Sequence, residues 1–257
     1  MMMRARILAA AVTAGLGLAL AAPASAAEGN VELPKQNWSF NGPFGTFDQA
    51  QLKRGYQVYG QVCAACHSLR LLYYRNLTDI GMSESEVKEI AAGVEVTDGP
   101  NDEGEMFTRP GRPSDHFRSP FPNDNAARAA NNGALPPDLS LITKAREGGA
   151  NYVYGVLTGF TDPPAGVTVP DGMHYNKYFP GHMIAMAPPL SEGLVDYGGE
   201  PKATVDQMAQ DVTAFLAWAS EPEMEARKRL GIKVMLFLII FTGMLYAVKR
   251  KVWSNIH

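Results

Sequence analysis

The sequence predicts a mainly α fold, with one helical domain threaded by long loops and followed by a single C-terminal transmembrane helix. Three observations carry that expectation. Two amphipathic segments, one just before the Cys63-Ala64-Ala65-Cys66-His67 motif and one ending before Pro222, repeat their apolar residues at helical spacing. The chain between them is punctuated by proline and glycine and shows neither an internal repeat nor a strand-rich region. An apolar run from Leu230 to Val248 is flanked by Arg227-Lys228-Arg229 and Lys249-Arg250-Lys251.

The first helix is read from Leu52, Tyr56 and Tyr59, with Gly55 offering a place where a second helix can approach closely. The second begins at the capping pair Thr204 and Gln207, runs through Val205, Met208, Val212, Phe215 and Leu216, and is stopped by Pro222. These two are expected to cross and pack together. Between them Ser83 with Glu86 opens a short helix, and Asn151 to Thr158 forms another. Asn131-Asn132-Gly133, Leu135-Pro136-Pro137, Asp162-Pro163-Pro164 and Pro188-Pro189 mark the loops. From Asp79 to Glu105 nine acidic residues face the single Lys88, which reads by default as a solvated acidic loop and alternatively as a docking surface for a basic partner.

The ends set the compartment. Arg4 and Arg6 precede an apolar run from Ile7 to Leu20 and then Ala24-Ser25-Ala26, the pattern of an export signal over 1–26. The run is too short to span a bilayer, whereas Leu230 to Val248 is long enough. The expected organisation is therefore a cleaved signal peptide (1–26), an extracytoplasmic domain (27–229), a transmembrane helix (230–248) and a cytoplasmic tail (249–257). With 23 Lys and Arg against 26 Asp and Glu, no nucleic-acid partner is expected.

An exported domain invites structural disulfides, yet the two cysteines, Cys63 and Cys66, stand three apart with His67 directly after them. Cys63-Ala64-Ala65-Cys66-His67 is the C-x-x-C-H pattern of covalent haem c attachment. Two intervening residues make one helical turn, which spaces the thiols for the two vinyl groups of one porphyrin, and the next side chain is directed at the iron. A thioredoxin-like pair would need a surrounding βαβ pattern, and a tetrahedral zinc site would need further nearby donors; the chain supplies neither. For the sixth iron position Met173, Met183, Met186 and Met208 all lie downstream, along with His174 and His182. Met186 is preferred because it opens Met186-Ala187-Pro188-Pro189, a segment stiffened by two fixed φ angles, with Met183 the nearest alternative. His116, His174 and His182 read as surface or turn histidines.

Cys63 to Arg70, the stretch from Ala126 through Asn131-Asn132-Gly133-Ala134-Leu135-Pro136-Pro137-Asp138-Leu139-Ser140, Tyr178-Phe179-Pro180-Gly181 leading to Met186-Ala187-Pro188-Pro189, and Trp218-Ala219-Ser220-Glu221-Pro222-Glu223 together resemble the cytochrome c1 family, from about Trp38 onward. The resemblance implies a cytochrome c-like haem domain with long loop insertions, in the haem-bearing subunit of the ubiquinol to cytochrome c oxidoreductase. It implies His67 and Met186 as axial ligands, Cys63 and Cys66 as attachment points, Asn131 and Pro137 lining the ring, and Arg146 and Tyr152 around the propionates and pocket. The implied partners are a cytochrome b subunit, a Rieske iron-sulfur subunit and a cytochrome c-type acceptor within a dimeric complex. No mitochondrial-type presequence is read at the start of the chain, so a bacterial inner membrane with the haem domain on the periplasmic side is expected.

Overall fold

The computed structural model describes residues 31–254, so the expected export signal and the last residues of the expected tail lie outside the described residues. Helix α1 (Gln49–Gln61) starts where Asp48 accepts the Gln51 amide at 3.1 Å, and it buries Leu52, Gly55, Val58 and Tyr59 on one stripe. A 3-10 turn at Cys63–Ala65 and a longer one at Tyr74–Ile80 follow. The reciprocal Ser83 and Glu86 cap then opens α2 (Glu84–Ala92), as the spacing predicts. Next come α3 (Asp124–Ala130), α4 (Ile142–Ala145) and α5 (Ala150–Thr158). Thr204 accepts the Gln207 amide to start α6 (Val205–Ser220), and α7 (Met224–Trp253) closes the described chain.

The crossing of α1 and α6 is the centre of the domain. Gly55 permits it, because a Cβ at that position would lie 2.1 Å from the Asp211 carbonyl oxygen and 2.7 Å from Phe215 Cβ. Beside this contact the fully buried Asp211 carboxylate accepts two hydrogen bonds from Arg54, at 2.9 and 3.2 Å, and one from Gln207 at 2.9 Å. A buried charge is tolerable only when paired and hydrogen-bonded in this way. Aromatic rings fill the remaining space: Tyr56 and Tyr59 meet both Phe215 and Phe117, and Tyr74 stacks on Phe117 at 4.6 Å. Helices α4 and α5 lie against α6 and against each other, and Trp38 fastens the preceding segment by donating to Asn151 Oδ1 at 2.8 Å.

Two small antiparallel ribbons join the helices. β1 (Glu95–Asp98) pairs with β2 (Phe107–Pro110), and β3 (His174–Tyr175) pairs with β4 (Met183–Ile184). The stretch from Asp79 to Glu105 therefore includes a capped helix and a hairpin strand, and its last part, with Asp102, Glu103 and Glu105, is a loop. Acidic residues are poor strand formers, but Arg109 on β2 supplies the fastening. Its guanidinium bonds Asp98 across the ribbon and grips Asp115 at 2.7 and 2.9 Å.

Helix α7 contains 30 residues, about 45 Å at 1.5 Å per residue, and apart from the buried Met224 at its start its apolar stretch has no protein cover. It is long and apolar enough to cross a bilayer. Its first turns are tied to the domain. Glu225 accepts the Phe47 amide at 2.8 Å, Lys228 donates to the carbonyls of Phe40 and Gly45 at 2.7 and 3.0 Å, and Glu221 bridges Lys144 and Arg227.

Two glycines of α1 should respond in opposite ways to the same substitution. Gly55→Ala forces the helices apart and should cost about 3 kcal/mol or more. For Gly60→Ala, whose added methyl meets nothing within 4 Å, stability should hold or rise by up to about 1 kcal/mol. Urea unfolding of the detergent-solubilised chain measures both.

Candidate functional site

The C-x-x-C-H residues occupy one tight turn directly after α1. The amides of Cys66 and His67 both donate to the Cys63 carbonyl, at 3.1 and 2.9 Å, so the turn places the two sulfurs and the imidazole in succession on one winding. Cys63 is half-buried, Cys66 is exposed, and the two sulfurs are not joined to each other. Burial, with a smaller push from Cys66, raises the Cys63 thiol to about 12. A redox-active pair needs the reverse, a depressed thiol, which argues against the thioredoxin-like alternative. Zinc fares no better, since among the described residues no group of three or more His, Cys, Asp or Glu side chains converges to hold an ion.

His67 is held at both ends. Its backbone carbonyl accepts the Tyr59 hydroxyl at 3.1 Å, and burial pushes that phenol pKa upward, so it stays a donor. Its Nδ1 lies 2.8 Å from the Pro137 carbonyl oxygen. A carbonyl can only accept, so Nδ1 carries the proton and Nε2 presents its lone pair. Burial lowers the imidazole pKa, against smaller opposing effects of the Pro137 bond and the nearby Asp138 charge, and so favours the neutral ring. A metal-binding histidine needs that tautomer and that charge state.

The Pro137 carbonyl is itself fixed by a staple between two chain segments. Asp138 accepts the Ser68 hydroxyl at 2.6 Å, the Arg70 amide at 2.9 Å and the Ser140 amide at 3.0 Å. The Leu139 amide donates to the Ser68 carbonyl at 2.8 Å, and the Leu71 amide donates to the buried Ser140 hydroxyl at 3.1 Å. Burial alone would raise the Asp138 pKa, but the hydrogen bonds from Ser68, Arg70 and Ser140 outweigh it and leave the carboxyl below its ordinary value.

The other predicted residues lie on separate elements. Asn131 caps the end of α3, half-buried, with its amide donating to the Ala127 carbonyl at 2.7 Å. Arg146 is exposed at the end of α4, and Tyr152 is half-buried on α5. Met186 is half-buried two residues beyond β4, while its rival Met183 is paired with Tyr175 inside the ribbon. Among the described residues the structure joins His67 to Pro137 by a hydrogen bond, but no hydrogen bond joins Met186 to the turn. Of the histidines, His116 is exposed beside the Tyr73 ring, and His182 adopts a left-handed turn conformation with φ 62°. Tyr59, Ser68, Asp138 and Ser140 have no counterpart in the predicted set. The available signal was a carboxylate set directly after two prolines in an otherwise apolar stretch, where it must find donors.

Residues 38–256 match the Cytochrome C1 family over most of the chain. The chain belongs to the cytochrome c1 family. Cytochrome c1 of Rhodospirillum rubrum is 50% identical over 263 residues, covering 96% of this chain and 97% of that protein. The mitochondrial heme protein cytochrome c1-2 of Solanum tuberosum is 52% identical over 245 residues, covering 95% and 94%. Cytochrome b/c1 of Bradyrhizobium diazoefficiens is 52% identical over 256 residues, 91% of this chain and 37% of that longer protein. Cytochrome c1 is an electron-transferring subunit of the cytochrome bc1 complex and carries covalently bound haem c. The donor set of the turn fits such a group: two unbridged cysteines one winding apart and a neutral imidazole with Nε2 available.

Asp138→Asn should destabilise the protein by about 2 kcal/mol at neutral pH, the scale of a hydrogen bond to a charged acceptor. The folded carboxyl titrates below the unfolded value of about 3.9, so its contribution is complete above that pH and is lost as pH falls through the folded pKa. The gap between parent and variant should therefore close on acidification, as followed by unfolding between pH 7 and 2.

Proposed function

We propose that this cytochrome c1 family member holds one haem c through thioether bonds to Cys63 and Cys66, with His67 and Met186 as axial ligands. In this reading it passes single electrons from the iron-sulfur subunit to a cytochrome c-type acceptor within the ubiquinol to cytochrome c oxidoreductase. The hydrogen bond from His67 Nδ1 to Pro137 carries the reading, because it commits the opposite nitrogen to a ligand. Bound haem c supplies a one-electron couple between ferric and ferrous iron.

The residues of the chain do the rest by position. Tyr59 holds the backbone carbonyl of His67 and Pro137 holds its imidazole, which together fix where the ring sits. Pro188 and Pro189 restrict the backbone behind Met186, which lowers the entropy lost in holding a thioether in place. Asn131 and Pro137 would line the ring, with Arg146 and Tyr152 around the propionates and pocket. No substrate bond changes at this subunit; potential and burial are its contribution.

The cytochrome b subunit is the expected neighbour of α7, and the fused name of the Bradyrhizobium relative supports it. The domain 27–229 lies on the periplasmic side of a bacterial inner membrane, 230–248 spans, and 249–257 faces the cytoplasm, in a dimeric complex. This orientation rests on the export pattern at residues 1–26.

The acidic surface is a docking face for a basic acceptor, though a smaller one than its composition predicts. Asp98 is engaged by Arg109, and Glu86 closes the α2 cap, where the Ser83 hydroxyl holds its pKa down. Glu84 and Glu103 carry no such bond on their side chains among the described residues, and both are exposed.

In Met186→Leu the haem should stay attached while its midpoint potential falls by a substantial part of the roughly 0.8 V that axial ligation spans. A haem-stained denaturing gel and a redox titration measure the two effects, and an unchanged midpoint would remove Met186 from the iron. Glu84→Gln combined with Glu103→Gln should slow reduction of a soluble basic acceptor several-fold at low ionic strength and little at high salt. Stopped-flow rates that do not differ at low salt would remove the docking face.

A further inference from the structure

The segment leading to Met186 is secured from inside the protein by one buried amide. Asn176 directly follows β3 and has no exposed surface. Its Oδ1 accepts the amides of Tyr178 and Phe179, at 3.0 and 3.1 Å, and its Nδ2 donates to the Val156 carbonyl at 2.8 Å. Its backbone amide donates to the His182 carbonyl at 2.9 Å, and its own carbonyl accepts His182 Nδ1 at 3.3 Å. One residue thus closes the loop from 176 to 182 on itself and binds the closed loop to α5.

The attachment to α5 is tight. The Lys177 amide donates to the Gly159 carbonyl at 2.9 Å, and Phe160 bridges Asn176. At Gly159 a Cβ would sit 2.5 Å from Asn176 Oδ1 and 2.7 Å from the Tyr178 ring, so only glycine admits the knot. From this loop β4 runs back along β3 and delivers Met186 two residues after Ile184. Helix α5 also carries Tyr152 and packs on α6. Asn176 is therefore a buried side chain through which the helical core reaches the Met186 segment.

We propose that Asn176 is a positioning residue for Met186, holding the β3–β4 loop against α5 so that the thioether stays at the iron. The proposal rests on the reading of Met186 as an axial ligand. A neutral thioether depends on being held in place, and a loop released from α5 lets an external ligand compete for the sixth position. Removing the Asn176 amide leaves the Tyr178 and Phe179 amides and the Val156 carbonyl without their partners, which favours opening of the loop over a buried, unsatisfied state.

The test is carbon monoxide binding to the reduced, haem-loaded full chain in detergent at neutral pH, alongside the charge-transfer band of a thioether-ligated ferric haem. Asn176→Ala should keep one covalent haem per chain, weaken that band and bind carbon monoxide about tenfold faster or more, the factor that about one lost hydrogen bond confers. Gly159→Ala, which disturbs the same knot from the α5 side, should behave alike and serves if Asn176→Ala does not accumulate. Val87→Ala, a buried truncation in α2 away from the ribbon, should lower the melting temperature without admitting carbon monoxide. Asn176→Ala and Gly159→Ala binding no faster than Val87→Ala, while Met186→Leu binds rapidly, would overturn the proposal. A Met186→Leu protein that excludes carbon monoxide as the parent does would instead bring down the ligand reading, and the role of Asn176 with it.

Discussion

The hydrogen bond between the His67 imidazole and the Pro137 carbonyl is the constraint around which the site is organised. It selects a tautomer, sets the plane of the ring and leaves one nitrogen with a fixed direction. The bond spans 70 residues of chain, so it exists only because Asp138, Ser68 and Ser140 staple the two segments together. The same staple supplies partners for the backbone amides of Arg70 and Leu71 where the chain leaves the turn without regular structure. The Ser140 hydroxyl is fully buried and has to be satisfied, and the bonds that satisfy it belong to the staple that aims the histidine.

Behind the turn the protein is built on the α1 and α6 crossing, and the two layers depend on one another. Tyr59 belongs to both: its ring packs against Phe215 and Phe117 in the core, and its hydroxyl reaches the His67 carbonyl. The close approach at Gly55 brings α1 down far enough for that ring to be enclosed. A core contact and a site contact are thereby made by one side chain, which ties the position of the His67 backbone to helix packing.

Local features were legible in the sequence, and those made across the chain were not. The C-x-x-C-H turn, the Ser83 and Glu86 cap, α5 and the periodic stripes of α1 and α6 depend on residues a few positions apart, and each stands where spacing places it. Gly55 was readable as a close contact because a glycine inside a helix needs a reason. Asp138 and Asn176 could not be assigned from spacing, since their partners come from other segments and a lone Asp or Asn in a loop ordinarily signals a turn. The β1–β2 ribbon was hidden for a related reason: its acidic strand has low β-propensity, and its fastening comes from Arg109, eleven residues beyond Asp98.

The junction between domain and anchor carries a consequence for traffic at the surface. Phe47, Phe40 and Gly45 are bonded to the first turns of α7, and Glu221 clasps Lys144 and Arg227, so the helix leaves the domain through a braced joint rather than a tether. With α7 across a bilayer, a joint braced like this would hold the domain at a set height and tilt and restrain it from swinging to meet its visitors. The burden of travel falls on whatever exchanges charge with it, and the frequency of encounter is governed by the mobility of those neighbours.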